Sequence, residues 1–209
     1  MLPERNLAIG GLPRDILSKN GERIRLILLP EDLHLRLLAM YLDYQPRNCF
    51  QGLPPIRDEI CAKWVENMIH DGVNIVALSG IREVVGHVAV FPVNERKCEL
   101  LVVVAPAFQN QGVGTELVRA AADVADDLNF SQVWLPVDTT NSRARHVYEK
   151  CGFQYTSSRL ARELDMALDL AQKPVVPSCA APQPPPPHAM IASLGLAGHA
   201  EVAGVSAGF

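Results

Sequence analysis

The sequence predicts an α/β domain, a mixed sheet with about four helices interleaved among six to seven strands. Two observations carry this. Short apolar runs of strand length alternate with stretches of helical periodicity from about residue 24 to residue 170. One of those runs, Leu100 to Val104, stops at Ala105-Pro106 and leads through a glycine-bearing loop straight into a helix. A chain of 209 residues that is 48% apolar can supply one compact core with tails at either end.

Ile24 to Leu29 reads as the first strand, closed by Pro30. Glu31-Asp32 then opens a helix, where acidic residues suit the dipole, with Leu33, Leu35, Leu37, Leu38 and Tyr41 as its apolar side. Asp43 to Pro55 is polar and irregular, a loop long enough to serve a site. Arg57 to Ile69 reads as a second helix, presenting Ile60, Trp64, Val65 and Met68 together. Asn74 to Leu78 and Val84 to Phe91 read as paired strands, with Gly86 marking a bulge or close packing. Gln132 to Val137 is a further strand, and Asn141 is placed to cap the helix that follows. On that helix Ala144, Val147, Tyr148 and Cys151 form a stripe, and Gly152 supplies a left-handed stop. Phe153 to Ser157 and Glu163 to Leu170 complete the sheet.

The stretch Glu99 to Leu117 organises the chain. Leu100 to Val104 is a β-branched run suited to a strand covered on both faces. Gln109-Asn110-Gln111-Gly112-Val113-Gly114 follows, and Val113, Leu117, Val118, Ala121, Val124, Ala125 and Leu128 then recur at helical spacing. A strand, a glycine loop and a helix N-terminus in this order make an anion site, because the first-turn N–H groups and the helix dipole point the same way. No Lys-Ser or Lys-Thr follows, so it is not a P-loop, and two glycines fall short of the dinucleotide fingerprint.

About thirty residues on, Asn141, Ala144, Tyr148, Gly152 and Phe153 form the pattern Asn-x-x-Ala-x-x-x-Tyr-x-x-x-Gly-Phe. Together with Gln109, Gly112 and Gly114 this resembles the GNAT superfamily of acetyl-CoA-dependent N-acetyltransferases, over roughly residues 22–170. The resemblance implies the GNAT fold, with a mostly antiparallel sheet and the cofactor wedged where two central strands splay. It also implies acetyl transfer from acetyl-CoA to an amine acceptor. Residues Gln109, Asn110, Gln111, Gly112, Val113 and Gly114 would then grip the pyrophosphate through backbone N–H groups, Thr115 would add a hydroxyl, and Val102, Val103 and Val104 would meet the pantetheine arm edge-on. Tyr148 would protonate the departing thiolate, a role that competes with a core tyrosine on the buried stripe. Asn141 would touch the cofactor or serve only as a cap. Glu99 is the candidate base, in a register the sequence leaves open, with Asp138 and His87 as further candidates. Ribosomal-protein-type members place a glutamate where Pro136 stands here, which weakens that subfamily reading. A non-catalytic acyl-CoA-binding module is the alternative, and a nucleotide binder a remote one.

A net charge of −4 and the absence of a Lys/Arg run give no footprint for nucleic acid, and no apolar run is long enough to span a membrane. Five cysteines with no Cys-x-x-Cys pair read as thiols in a reducing compartment, the cytoplasm. No cluster has metal-ligand spacing, so no metal is expected. Residues 1–20 read as an N-terminal arm, 21–170 as the acetyltransferase domain, and 171–209 as a Pro/Ala/Gly-rich tail whose prolines Pro184 to Pro187 suit a partner ligand or an unfolded extension. Family members often pair, which leaves a homodimer open.

Overall fold

The computed structural model describes residues 9–47, 53–156 and 163–170, which build one eight-stranded sheet with helices on both faces. The tail at 171–209, the first eight residues and the middle of the 43–55 loop lie outside the described residues. The strands are β1 (Arg14–Leu17), β2 (Arg23–Leu28), β3 (Val73–Ser79), β4 (Glu83–Pro92), β5 (Lys97–Val104), β6 (Gln132–Asp138), β7 (Gln154–Tyr155) and β8 (Glu163–Asp169). The helices are α1 (His34–Leu42), α2 (Asp58–Asp71), α3 (Val113–Asp127) and α4 (Ser142–Lys150). In space the order is β1-β2-β3-β4-β5-β6-β8-β7, and every pair is antiparallel except β5 with β6.

Side-chain alternation along the strands splits the core in two. Cys98 and Leu100 of β5, with Val133, Leu135 and Val137 of β6, join α3 on one face. Val76, Ala89, Phe91 and Val103 join α1 and α2 on the other. Helix α3 buries Val113, Leu117, Val118, Ala121, Val124 and Ala125 of the predicted stripe, whereas Leu128, its C-cap, stands exposed. Gly86 answers both sequence expectations: the β3–β4 register shifts beside it, and a Cβ there would come within 2.9 Å of Leu117 Cδ1.

Two expectations differ from the structure. Leu35, expected on the apolar side of α1, stands 80% exposed, because it lies about 200° around the helix from both Leu33 and Leu37. Residues 9–17, read as part of an arm, pack against the sheet and α3. Arg14–Leu17 pairs with β2, the Gly10 N–H donates to Asp127 Oδ2 at 2.8 Å, and Arg14 reaches Asp123 at 2.6 Å. None of the four residues of β1 is fully buried, so this edge strand carries no apolar rhythm. It accounts for the eighth strand.

Candidate active site

β5 and β6 begin as neighbours and then separate. They pair at Lys97–Gln132, Cys98–Val133 and Glu99–Trp134 and no further, although β5 runs on to Val104 and β6 to Asp138. β4 stays with β5 to Val104, and β8 stays with β6 to Asp138, so the gap opens inside the sheet. The parting strands, the 109–115 loop, α4 and part of α2 enclose a cleft of about 1190 Å³.

A proline reveals which backbone groups face the gap. In an antiparallel ladder, pairs that exchange hydrogen bonds alternate with pairs that do not. Pro92 has no N–H, so its pair with Cys98 must be of the second kind, and the alternation carries this to Leu100, Val102 and Val104. Their N–H and C=O groups therefore point away from β4: the Leu100 N–H closes the last rung with Trp134, and the Leu100 carbonyl, both groups of Val102 and the Val104 N–H lie along the gap. Val103, expected to meet the cofactor through its backbone, instead shares its bonds with His87 on β4. Leu100, absent from the expected set, takes its place at the open edge. Without knowing the register, alternation could not tell odd from even residues.

The loop at the mouth of the gap is built for an anion. Asn110 sits at φ 60° and Gly112 at φ 93°, a left-handed conformation that a side chain resists. Gly112 caps α3, and Glu116 donates back to its carbonyl at 3.1 Å. The N–H groups of residues 110 to 115 meet no acceptor among the described residues, and the α3 dipole adds to them. The loop's side chains do other work. Val113 is fully buried core, and the Gln111 side chain donates to the Ala107 carbonyl while the Gln111 backbone carbonyl takes the Lys19 N–H. Gln109 donates to Tyr44 Oη and the Val104 carbonyl at 3.0 and 3.1 Å, and accepts from Arg143 at 3.2 Å. Thr115 is buried yet lines the cleft. The cations Lys19 and Arg143 also line it, and the motif reading missed both. Arg143 stands inside the second motif, where its charge was the available signal; Lys19 lies in the supposed arm and gave none.

Helix α4 places one side chain. Asn141 caps it, accepting the Ala144 N–H at 3.1 Å, and also lines the cleft. At the other end Gly152, at φ 93°, donates to the Glu149 carbonyl and Phe153 to the Tyr148 carbonyl, both at 3.0 Å. This is a Schellman ending, and its usual apolar contact is Phe153 against Tyr148, with ring centroids 5.7 Å apart. The same turn that ends the helix thus fixes the Tyr148 ring. Burial pushes the Tyr148 hydroxyl well above its ordinary pKa, so it keeps its proton throughout the neutral range.

Glu99 lies at the last paired step of the notch and lines the cleft. Its Oε2 is buried with no hydrogen-bond partner, and desolvation pushes its carboxyl up to about 7. Lys97 works weakly in the other direction. His87 is a core residue: its Nδ1 meets Tyr41 Oη at 2.8 Å, its Nε2 meets Asn74 Oδ1 at 2.9 Å, and burial holds it down to about 3. The Asn74 amide already donates to the Met68, Ile69 and Gly72 carbonyls, so Nε2 carries the ring proton and Nδ1 accepts. Asp138 accepts the Thr140 N–H and hydroxyl, which ties it to its own turn.

The sequence pattern of the acetyltransferase (GNAT) family matches residues 38–153, more than half of the 209. The chain belongs to the GNAT family. Among GNAT relatives, spermidine N(1)-acetyltransferase of Vibrio cholerae is 31% identical over 90 residues, covering 41% of this chain and 52% of that one. Streptothricin acetyltransferase of Streptomyces lavendulae is 38% identical over 52 residues, 25% of this chain and 28% of that one. The chain thus spans at most about half the length of these curated relatives. Among solved GNAT structures, the GNAT domain of S. lividans PAT superposes with a TM-score of 0.67 at 18% identity, over 81% of this chain and all of that one. The spermidine N-acetyltransferase of Vibrio cholerae, solved with CoA and spermine, gives 0.57 at 20% identity, over 70% of this chain and 95% of that one. Such identities establish the shared fold.

Proposed function

We propose that this GNAT protein moves an acetyl group from acetyl-CoA to a primary amine by direct attack in a ternary complex. The observation that carries the reading is the row of N–H groups at residues 110 to 115, set at the open end of a gap whose two sides hold Glu99 and Tyr148. That row suits a pyrophosphate, with Lys19 and Arg143 adding charge. The outward Leu100 carbonyl, the N–H and C=O of Val102 and the Val104 N–H suit the amides of an extended pantetheine arm laid alongside as a further strand.

The chemistry then needs three proton movements, two off the nitrogen and one onto the sulfur. The ammonium gives its proton to Glu99, a carboxyl that burial has brought near neutral pH and so made a better base. The amine nitrogen attacks the thioester carbonyl carbon, a C–N bond forms and the C–S bond breaks. As the tetrahedral intermediate collapses its nitrogen gives up a second proton to water, and the CoA sulfur leaves with its electron pair and takes the proton of Tyr148. Solvent returns a proton to Tyr148 and removes the one held by Glu99 once product departs. Asn141 shapes the site by capping α4, and Gln109 braces the loop against β5 and α4.

Thermal unfolding with acetyl-CoA, CoA and ATP in parallel tests this first. A ligand at a hundred times its dissociation constant adds about 2.7 kcal/mol. Stabilisation by acetyl-CoA and CoA, but not ATP, is expected. If acetyl-CoA stabilises the protein and no amine is ever acetylated, the fold serves as an acyl-CoA-binding module instead.

A further inference from the structure

Lys19, Arg143, His146 and Lys150 all line the cleft, and a diphosphate needs only part of that charge. The first two are tied to the anion loop itself. The Lys19 N–H donates to the Gln111 carbonyl at 3.0 Å, and the Arg143 guanidinium reaches Gln109 Oε1 at 3.2 Å. The other two continue from Arg143 along α4, since Arg143, His146 and Lys150 recur at i, i+3 and i+7 on one face of the helix. That helix runs past the loop: Arg143 meets Gln109 near its start, and at its C-cap Cys151 Sγ donates to the Thr115 carbonyl at 3.7 Å. A rise of about 1.5 Å per residue sets His146 about 4.5 Å and Lys150 about 10 Å along the axis from Arg143. The neighbouring acids are engaged elsewhere. Glu149 accepts from the Tyr155 hydroxyl at 2.7 Å, and Glu116 pairs with Arg119 at 2.6 Å. The carboxylates that line the cleft, Glu99, Asp138, Glu163 and Asp165, stand on β5, β6 and β8. Among the described residues, none of Lys19, Arg143, His146 and Lys150 enters an ion pair.

We propose that His146 and Lys150 hold the third phosphate of CoA, the phosphomonoester on its ribose, so that the chain distinguishes CoA from dephospho-CoA. The inference rests on the acetyl-CoA reading and extends it to the far end of that molecule. The diphosphate carries about two negative charges, which the loop N–H groups, Lys19 and Arg143 answer. A phosphomonoester adds about two more at neutral pH. It hangs one sugar ring from the diphosphate, a step that the walk along α4 from Arg143 to Lys150 can follow. There Lys150 supplies a full charge and His146 a ring N–H.

Calorimetric titration of the full chain with CoA and with dephospho-CoA tests this. CoA should bind roughly tenfold more tightly or better. Lys150→Ala should remove most of that preference by weakening CoA alone, with dephospho-CoA affinity unchanged, and Lys150→Arg should restore it. His146→Ala added to Lys150→Ala should erase the remainder, and raising the salt concentration should shrink the preference in the parent protein. Lys150 also lies in the last turn of α4, where a cation suits the helix dipole. That role alone would lower stability and leave the ratio of the two affinities untouched. Equal binding of CoA and dephospho-CoA by the parent protein would overturn the inference, as would a Lys150→Ala protein that weakens toward both ligands equally. Binding of neither ligand would sink the acetyl-CoA reading along with it.

Discussion

The two ends of the cleft are made from different parts of the polypeptide. At the α3 loop the groups without a partner are backbone N–H donors, while the side chains of Gln109, Gln111 and Val113 brace the loop from behind. At α4 and β5 they are side chains, the Tyr148 hydroxyl and the Glu99 carboxyl, held by a helix ending and by strand register. A backbone site tolerates many sequences provided the conformation survives, whereas a side-chain site fails when one atom is removed. The contrast explains why a short motif with two glycines suffices for the first and a longer pattern ending in Gly-Phe marks the second.

The sharpest break of this contrast is Tyr148→Phe. It deletes one oxygen and keeps the ring against Phe153, so turnover should fall on the order of 100- to 10,000-fold. Acetyl-CoA affinity, read by calorimetry, should not move. An unchanged kcat would return Tyr148 to the core. Glu99→Gln comes next, with a loss of about 100-fold at pH 8. Glu99 accepts a proton only when ionised, so in the parent protein kcat/KM should decline as pH drops through about 7. The glutamine variant should lose that limb, and a limb that persists would assign the base elsewhere.

At the backbone end the effects are smaller and of another kind. Gly112→Ala adds a Cβ that meets nothing within 4 Å, so its cost is conformational alone, about 1–2 kcal/mol for a left-handed residue. Stability should fall by that amount. If the φ relaxes, acetyl-CoA affinity should weaken roughly tenfold with kcat at saturation preserved. A loss of kcat with affinity intact would erase the distinction between the two ends. Asn141→Ala gives the smallest change, about 1 kcal/mol of stability read from denaturant unfolding, and Asn141→Ser should recover most of it. A large loss of cofactor affinity in the serine variant would show that the amide touches the ligand as well as the helix.

Much of this was legible before any coordinates, and what was hidden has physical causes. The α3 stripe, the α4 stop at Gly152 and the loop at Gly112 were readable because helical period and left-handed turns leave strong marks on local sequence. β1 left none, since an edge strand without a fully buried residue has no rhythm to read. The direction of the Val103 backbone was misread because a strand's two sides differ by one step of register. That step is fixed by pairing with β4, far away in sequence. Glu99 shows the same limit. Its identity as a candidate came from the chain, while the burial of its unpartnered Oε2 comes from α2, β4 and β6 arriving from three distant segments.

Pro136 has a consequence for how quickly the site can load. Its pair with Asp165 must be one that exchanges no hydrogen bonds, which turns its nitrogen toward β5. The strand therefore lacks the donor for the next rung, the one to the Leu100 carbonyl, and a closed form of the sheet would be short of a bond just where β5 and β6 part. Association then requires no parting of strands beforehand, and its rate should follow diffusion and charge rather than a folding-like rearrangement of the protein.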